Sequence, residues 1–318
     1  MGLIATSGRV VAIGEVMLEL SGPEPEVKRL AWAGDTANTA VYLARMGVRT
    51  SYLTALGQDP YSDTIKAGLE DEGIETCFVL RHPDRLPGLY AISTTQAGER
   101  TFYYWRGQSA ARDVFKLDGA DKALTHAASA SVLYLSGITL SIFSAEERAR
   151  LVDLAATVRS NGGQVAFDPN YRAKGWNNPA EARRAIEHLA PHLSAVLPTR
   201  QDEDELFGAA TTEQHIDRWR DAGIDEVVLK CGAEGAVVTR DDGSLQHVPV
   251  ETGMPVIDTS GAGDSFNAAY IAARLAGTDR IGAAVAGNRL ASVVIGHRGS
   301  ILPPHAMPGK NESVPKSL

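Results

Sequence analysis

Two cysteines, Cys77 and Cys231, are all the thiols in this chain, and they fall in no Cys-x-x-Cys spacing and beside no paired-histidine pattern. A disulfide framework or a structural zinc site therefore has no ligand set to build on. Long apolar runs are missing too: nothing approaches the roughly 20 residues that cross a bilayer, and Met1 to Gly8 lacks a charged stretch followed by an apolar one. Basic charge is in deficit, with 31 Lys and Arg against 39 Asp and Glu and a formal charge of −8. That balance argues against a nucleic-acid surface, which needs clustered cations, though a local basic pocket stays open. No Gly-x-Gly-x-x-Gly follows the first apolar run and no Gly-Lys-Ser/Thr loop occurs, which excludes dinucleotide enzymes and Walker-type NTPases. Together these absences indicate a cytoplasmic protein with no nucleic-acid and no membrane partner.

What is there is ordinary globular composition, 44% apolar and 22% charged over 318 residues, enough for one large α/β domain or two smaller ones. Arg9 to Gly14 reads as a buried strand. Glu15 and Glu19 alternate with Val16, Leu18 and Leu20, which suggests a half-exposed one. A helix opens at Gly34, with Asp35 or Thr36 able to cap it, and ends near Gly47. Another has Asp59 at its cap, Pro60 in its first turn and Gly73 past its end. Leu89 to Arg106 reads as a hairpin turning at Gly98. With Val16 to Trp32 it could form a small separate sheet, a lid on an α/β body. After Asp113 strands and helices alternate, with a capping box at Ser144 to Glu147, and the expected fold is an open, mostly parallel sheet with helices on both faces.

Asp258 to Phe266 places Gly261 and Gly263 where an apolar segment turns into a helix. A helix start presents unpaired N–H groups and the positive end of the helix dipole, so it attracts anions, and glycines let a phosphate approach the backbone. A carboxylate at such a place repels phosphate unless it takes a proton from the attacking hydroxyl. Asp264 is thus the candidate general base, the alternative being an ordinary first-turn acid. Polar clusters at Gly34 to Asn38, Asp168 to Arg172, Lys230 to Gly235 and Gly261 to Asp264 all follow strand patterns. On a parallel sheet such ends share one edge and can converge on one cleft.

Asp258-Thr-Ser-Gly-Ala-Gly-Asp264 and Ala33-Gly34-Asp35-Thr36-Ala37-Asn38 resemble the two signatures of the ribokinase-like, phosphofructokinase-B type carbohydrate kinases. Within that family Arg85 to Tyr90, Gly98 to Arg106, Tyr134 to Gly137 and Asp168 to Arg172 are similar to the 2-keto-3-deoxygluconate kinases. The resemblance, from about Val10 to Pro304, implies one three-layer α/β/α kinase domain over residues 1–305, with lid segments near 15–33 and 88–107 and a mobile polar tail at 306–318. It implies ATP and Mg²⁺, with Asp264 catalytic and Gly261, Ala262 and Gly263 forming an anion hole. Substrate contacts carry over to Gly34, Asp35, Asn38, Tyr90, Tyr104, Arg106 and Arg172, and nucleotide contacts to Asn170, Arg172, Lys230, Gly232, Gly235 and Asn288. Two arginines suit an acidic sugar, because the guanidinium fork matches a carboxylate. Ala283, Ala284 and Ala291 are small enough to leave room for a flat adenine.

Each assignment has a plainer alternative. Tyr103, Tyr104 and Trp105 could form a packing face, Arg106 could edge the lid, Arg172 could bridge Asp168, Lys230 could end a strand at the surface, and Asn38 could bond its own helix start. Asp202, Glu203 and Asp204 read as a solvated helix start. The family's Asn-x-x-Glu, which helps place Mg²⁺, is replaced here by Thr199-Arg-Gln-Asp202, so the metal residues are left unassigned. The rival functions are a kinase of the same fold for a neutral ketose, pentose or nucleoside, and a non-catalytic sugar-acid sensor. The lid also allows a homo-oligomer packed through its exposed sheet.

Overall fold

The computed structural model describes residues 2–22, 27–94, 100–250 and 255–308. Strands β1 (Val10–Ile13), β2 (Met17–Ser21), β3 (Arg29–Ala33), β4 (Thr50–Leu56), β5 (Val79–Arg81), β6 (Leu89–Thr94) and β7 (Arg100–Trp105) belong to the first third of the chain. They are followed by β8 (Val132–Ser136), β9 (Gln164–Asp168), β10 (Ala195–Val196), β11 (Glu226–Lys230), β12 (Ala236–Thr239) and β13 (Leu245–Val248). Nine of these pair in the order β13-β12-β11-β10-β9-β8-β1-β4-β5. Every neighbouring pair is parallel except β11 with β12 and β12 with β13.

The central strands are buried on both sides. Val11, Ile13, Leu133, Leu135, Val165 and Phe167 face one core, and Val10, Ala12, Val132, Tyr134 and Ala166 face the other. A sheet covered on both faces has no use for polar alternation, which is why these strands read as continuous apolar runs. Helices α1 (Asp35–Arg45), α2 (Pro60–Asp71), α3 (Ala120–Ala128), α4 (Gly137–Ser141) and α5 (Ala145–Ser160) precede α6 (Pro179–Leu189), α7 (Arg200–Phe207), α8 (Thr212–Asp221), α9 (Ala262–Leu275) and α10 (Arg280–Ile295). Asp59 caps α2 through the Tyr61 and Ser62 amides, with Pro60 in the first turn, and Ser144 and Glu147 close a capping box on α5. The cap of α1 differs from expectation: Gly34 occupies it and so offers no capping side chain of its own, and Asp35 is the first helical residue.

The remaining strands form the smaller sheet, in the order β3-β2-β6-β7. Within it β6 and β7 pair antiparallel from Leu89 opposite Trp105 to Thr94 opposite Arg100. The turn expected at Gly98 and the tail beyond Pro308 lie outside the described residues. Tyr103, Tyr104 and Trp105 are about half exposed, so they do not form a buried packing face. Glu15 and Glu19 correct the expected half-exposed strand, since both are buried. Each has a partner from the second half of this sheet: Glu15 pairs with the Arg106 guanidinium, and Glu19 accepts a hydrogen bond from the Tyr90 hydroxyl. No helix among the described residues is long and apolar enough to cross a membrane.

Candidate active site

Four segments distant in sequence are tied together where β9 and β11 end. Asn38 Nδ2 donates to Asp264 Oδ2 at 2.8 Å, and Thr39 Oγ1 donates to the Asp264 carbonyl at 3.2 Å, which joins α1 to α9. Asn170 Nδ2 donates to Asp35 Oδ2 at 3.0 Å and links the segment after β9 to α1. Lys230 Nζ donates to Asp168 Oδ2 at 2.7 Å and to Asn267 Oδ1 at 2.9 Å, linking β11, β9 and α9. Lys230 is buried, so it is no surface strand end. Asn38 does reach back to the Gly34 amide at 3.4 Å, but its donor is spent on Asp264.

The turn before Asp264 is held by close approach. Gly261 caps α9 at φ 73° with no side chain bonding the helix start, so the first-turn amides rely on something other than a side-chain cap. Asp258 accepts from the Ser260 amide at 2.9 Å and the Gly299 amide at 2.7 Å, which pins the turn to the chain after α10. A Cβ on Gly261 would lie 2.5 Å from the Ser300 carbonyl oxygen. Gly261→Ala is accordingly expected to cost about 1–2 kcal/mol for the left-handed backbone alone, with the clash in addition. A thermal melt should show the midpoint falling by several degrees, and an unchanged midpoint would mean the turn can relax. Gly34 is a second close approach, since a Cβ there would sit 2.2 Å from the Glu15 carbonyl oxygen.

Asp264 stands in a strongly perturbing setting. Burial, then the Asp35 carboxylate, push its pKa up to about 8; Asp168 also raises it, while the Asn38 hydrogen bond and Lys230 oppose the rise. A carboxyl whose pKa is raised towards neutral pH suits a general base. Asn170 is the one non-glycine residue with positive φ among those described, at 33°, and its amide is held by Asp168 Oδ1 at 3.1 Å. Backbone in that region is costly and concentrates at working sites.

The smaller sheet comes within electrostatic reach of Asp264 at Tyr90. The Tyr90 and Tyr104 rings are 5.8 Å apart. Tyr104 feels the charges of Arg106, Arg172 and Asp35, so this ring stands within electrostatic reach of both arginines. Arg106 lies 6.0 Å from the Tyr104 ring centre while pairing with Glu15. Arg172 bonds Asp202 Oδ1 at 2.9 Å rather than bridging Asp168. Asp202 and Glu203 are buried, which corrects the expected solvated helix start. Burial lifts the Glu203 carboxyl to about 7 even though Arg218 pairs with it at 2.8 Å. The second oxygen of Asp202 is buried without a hydrogen-bond partner among the described residues. Thr199 caps α7 by accepting from the Asp202 amide at 3.1 Å. An orphaned carboxylate oxygen fits a hydrated Mg²⁺, which takes oxygen ligands and keeps several waters. Among the described residues there is no cluster of three or more His, Cys, Asp or Glu side chains that could hold a metal ion directly.

Other expected contacts lie further out. Gly232 and Gly235, at φ 60° and 96°, shape the turn between β11 and β12. Asn288 spends its amide on the Val248 and Pro249 carbonyls at 2.9 and 3.3 Å. Ala283 and Ala284 are fully buried in the core and present no surface to an adenine. Glu15, Thr39, Tyr134 and Asn267 were not anticipated. Tyr134 accepts from Asn267 at 3.1 Å and its hydroxyl lies 3.3 Å from Thr39 Oγ1, which ties it to the cluster. The only available signal was polar residues inside otherwise apolar strand and helix patterns.

A model of the pfkB family of carbohydrate kinases matches residues 7–307. The 2-dehydro-3-deoxygluconokinase of Dickeya dadantii is 40% identical over 310 residues, covering 95% of this chain and 99% of that protein. The protein of the same name from Escherichia coli K12 is 40% identical over 309 residues, with the same shares covered. Among solved structures, a PfkB protein from a Polaromonas species, 28% identical, superposes with a TM-score of 0.80 over 91% of this chain and 96% of its own. With its nine-stranded, mostly parallel sheet between helical layers and a separate smaller sheet, the chain has the ribokinase-like fold and belongs to the pfkB family of carbohydrate kinases.

Proposed function

We propose that this kinase phosphorylates the 6-hydroxyl of 2-keto-3-deoxy-D-gluconate with ATP. The observation that carries the reading is a chain of neighbours: a perturbed carboxylate, Asp264, acts on Tyr90, whose ring is 5.8 Å from that of Tyr104, and Tyr104 feels both Arg106 and Arg172. Relatives at 40% identity that carry the name of this activity support it. Arg106 and Arg172 orient the sugar's carboxylate, with Tyr90 and Tyr104 beside them, so that the far hydroxyl is presented to Asp264. Asp264, oriented by Asn38, takes the proton as the hydroxyl oxygen attacks the terminal phosphorus, whose bond to the bridging oxygen breaks so that ADP leaves. The amides at Gly261 and Gly263 would face the charge that develops on the transferring group, whereas that of Ala262, the third member of the expected anion hole, already donates to the Thr259 carbonyl at 3.3 Å. Asp202, with its free oxygen, and Asn170 stand on the nucleotide side. Mg²⁺, when bound through water to Asp202, would neutralise phosphate charge. The smaller sheet acts as the lid that keeps water from competing for the phosphoryl group.

One observation favours a neutral sugar instead. Both arginines already have a resident carboxylate, Glu15 for Arg106 and Asp202 for Arg172, and a neutral-sugar kinase could keep them for that alone. ADP release from ATP and Mg²⁺ separates the two readings when 2-keto-3-deoxygluconate is compared with fructose, ribose, adenosine and 5-keto-2-deoxygluconate. The keto acid is expected to lead in kcat/KM by about 100-fold, equivalent to roughly 2.7 kcal/mol of transition-state preference. A neutral sugar in front would overturn the substrate assignment and leave the kinase intact. Sugar binding without ADP release would turn the protein into a sensor.

A further inference from the structure

The resemblance that assigns Lys230 to the nucleotide does not account for where its ammonium lies. The Lys230 side chain is 8% exposed, its Nζ is shared between Asp168 Oδ2 at 2.7 Å and Asn267 Oδ1 at 2.9 Å, and Asp168 is just as deeply buried. Asn267 closes the triangle by donating to the same Asp168 oxygen at 2.6 Å. The ammonium also lies directly beneath the turn that leads into α9: a Cβ on Gly263 would be 3.6 Å from Nζ. We infer that Lys230, clamped by Asp168 and Asn267, is a positioning residue that acts through Asp264, holding a buried positive charge under the Gly261 to Gly263 turn, and that it is not a ligand of the nucleotide.

The inference rests on the reading of Asp264 as general base. The titratable groups within electrostatic reach of that carboxylate include Asp35 and Tyr42 from α1, Tyr90 from β6, Tyr134 from β8, Asp168 from β9 and Lys230 from β11. Lys230 is the cation of this set. An opposite charge nearby favours the ionised carboxylate and a like charge disfavours it. Lys230 and Asp168 therefore act on Asp264 with opposite signs, and as a matched pair they largely cancel. Removing one of them exposes the other. Removing both, with neutral side chains of similar shape, restores a near-neutral floor beneath the base, and a buried ion pair tolerates joint replacement far better than loss of one partner.

The test is the pH dependence of kcat/KM for Lys230→Met, Asp168→Asn and the double variant, alongside Asp264→Asn. The acid limb of the profile should move up by about one pH unit in Lys230→Met, equivalent to about tenfold lower activity below the limb. In Asp168→Asn it should move down, and in the double variant it should return towards wild type. KM for ATP should change less than about threefold throughout. A raised KM for ATP with an unmoved limb in Lys230→Met would overturn the inference and restore Lys230 to the nucleotide. Equal losses of kcat in all three variants, with no movement of the limb, would make the cluster purely structural and overturn it as well. If Lys230→Met does not fold, the double variant and Lys230→Gln carry the same comparison. Asp264→Asn keeps the two readings apart: near-normal turnover in that variant removes the base itself, whereas a large loss there with an unmoved limb in Lys230→Met removes only the role of Lys230.

Discussion

Asp264→Asn is expected to lower turnover by about 10² to 10⁴ while making the protein more stable. The two effects have one cause. The carboxyl is held at about 8 by burial and by Asp35, far above the 3.8 of a free aspartate, so the fold resists its ionisation. A group whose folded pKa is raised contributes its full stability below the unfolded value and loses it as pH climbs to the folded one. Wild type should therefore weaken relative to the variant from about pH 4 to about pH 8, with the gap level above that. Asparagine is neutral at every pH and can still accept the Asn38 hydrogen bond at the same place. A tenfold change in a proton equilibrium corresponds to about 1.4 kcal/mol. Because Asp264 is only partly buried by its surface exposure, the gain at pH 9 is expected to be roughly 2–4 kcal/mol rather than the full amount. Melting midpoints at pH 5, 7 and 9, beside kcat at the same values, check both halves. A variant that loses activity without gaining stability at high pH would mean that the free protein does not hold Asp264 in this state. One that keeps its activity would remove Asp264 from the chemistry.

How far the sequence shows these features depends on how local their causes are. The boundaries of α2 were readable because Asp59, Pro60 and Gly73 each act within one turn of the residue that carries them. The central strands were readable as continuous apolar runs, and the β6–β7 pair from its run of β-forming residues. By contrast β5 has only three residues, α4 only five, and α3 starts from Gly119 at φ 91° with no side-chain cap, so none of them leaves a pattern long enough to see. The cluster around Asp264 was legible as convergence, because parallel strand ends must share an edge, and the hydrogen bonds from Asn38, Asn170 and Lys230 follow that expectation. Partner choice was not legible. Glu15 reads as an exposed acid until Arg106 arrives from the end of β7, and Glu203 reads as solvated until Arg218 comes from α8. A buried charge is tolerable only with a partner, and that partner is fixed by tertiary packing that no local window contains. The same limit hid the triangle of Lys230, Asp168 and Asn267, whose members are separated by 62, 37 and 99 positions.

The pairing of Arg106 with Glu15 shapes the second large effect. Arg106→Ala removes a charge-assisted, fork-shaped donor from the place where the sugar's carboxylate is expected, which should raise KM for 2-keto-3-deoxygluconate by about 10- to 100-fold. It also strands Glu15, whose side chain is 1% exposed. Losing one partner of a buried pair costs up to about 3–5 kcal/mol, and because the Arg106 side chain is itself 22% exposed a loss of roughly 1–3 kcal/mol is the reasonable expectation here. A raised KM alone could then reflect a loosened small sheet instead of a missing contact. Arg106→Ala combined with Glu15→Gln resolves this, since glutamine leaves no buried charge behind. The double variant is expected to regain most of the lost melting temperature and none of the lost affinity. If affinity returns together with stability, Arg106 serves the sheet and the acidic-sugar assignment loses one of its two arginines. If KM for the best substrate never moves in either variant, that substrate carries no carboxylate at this position. Arg172 then has no acid to share, and a neutral sugar becomes the reading that the paired arginines support.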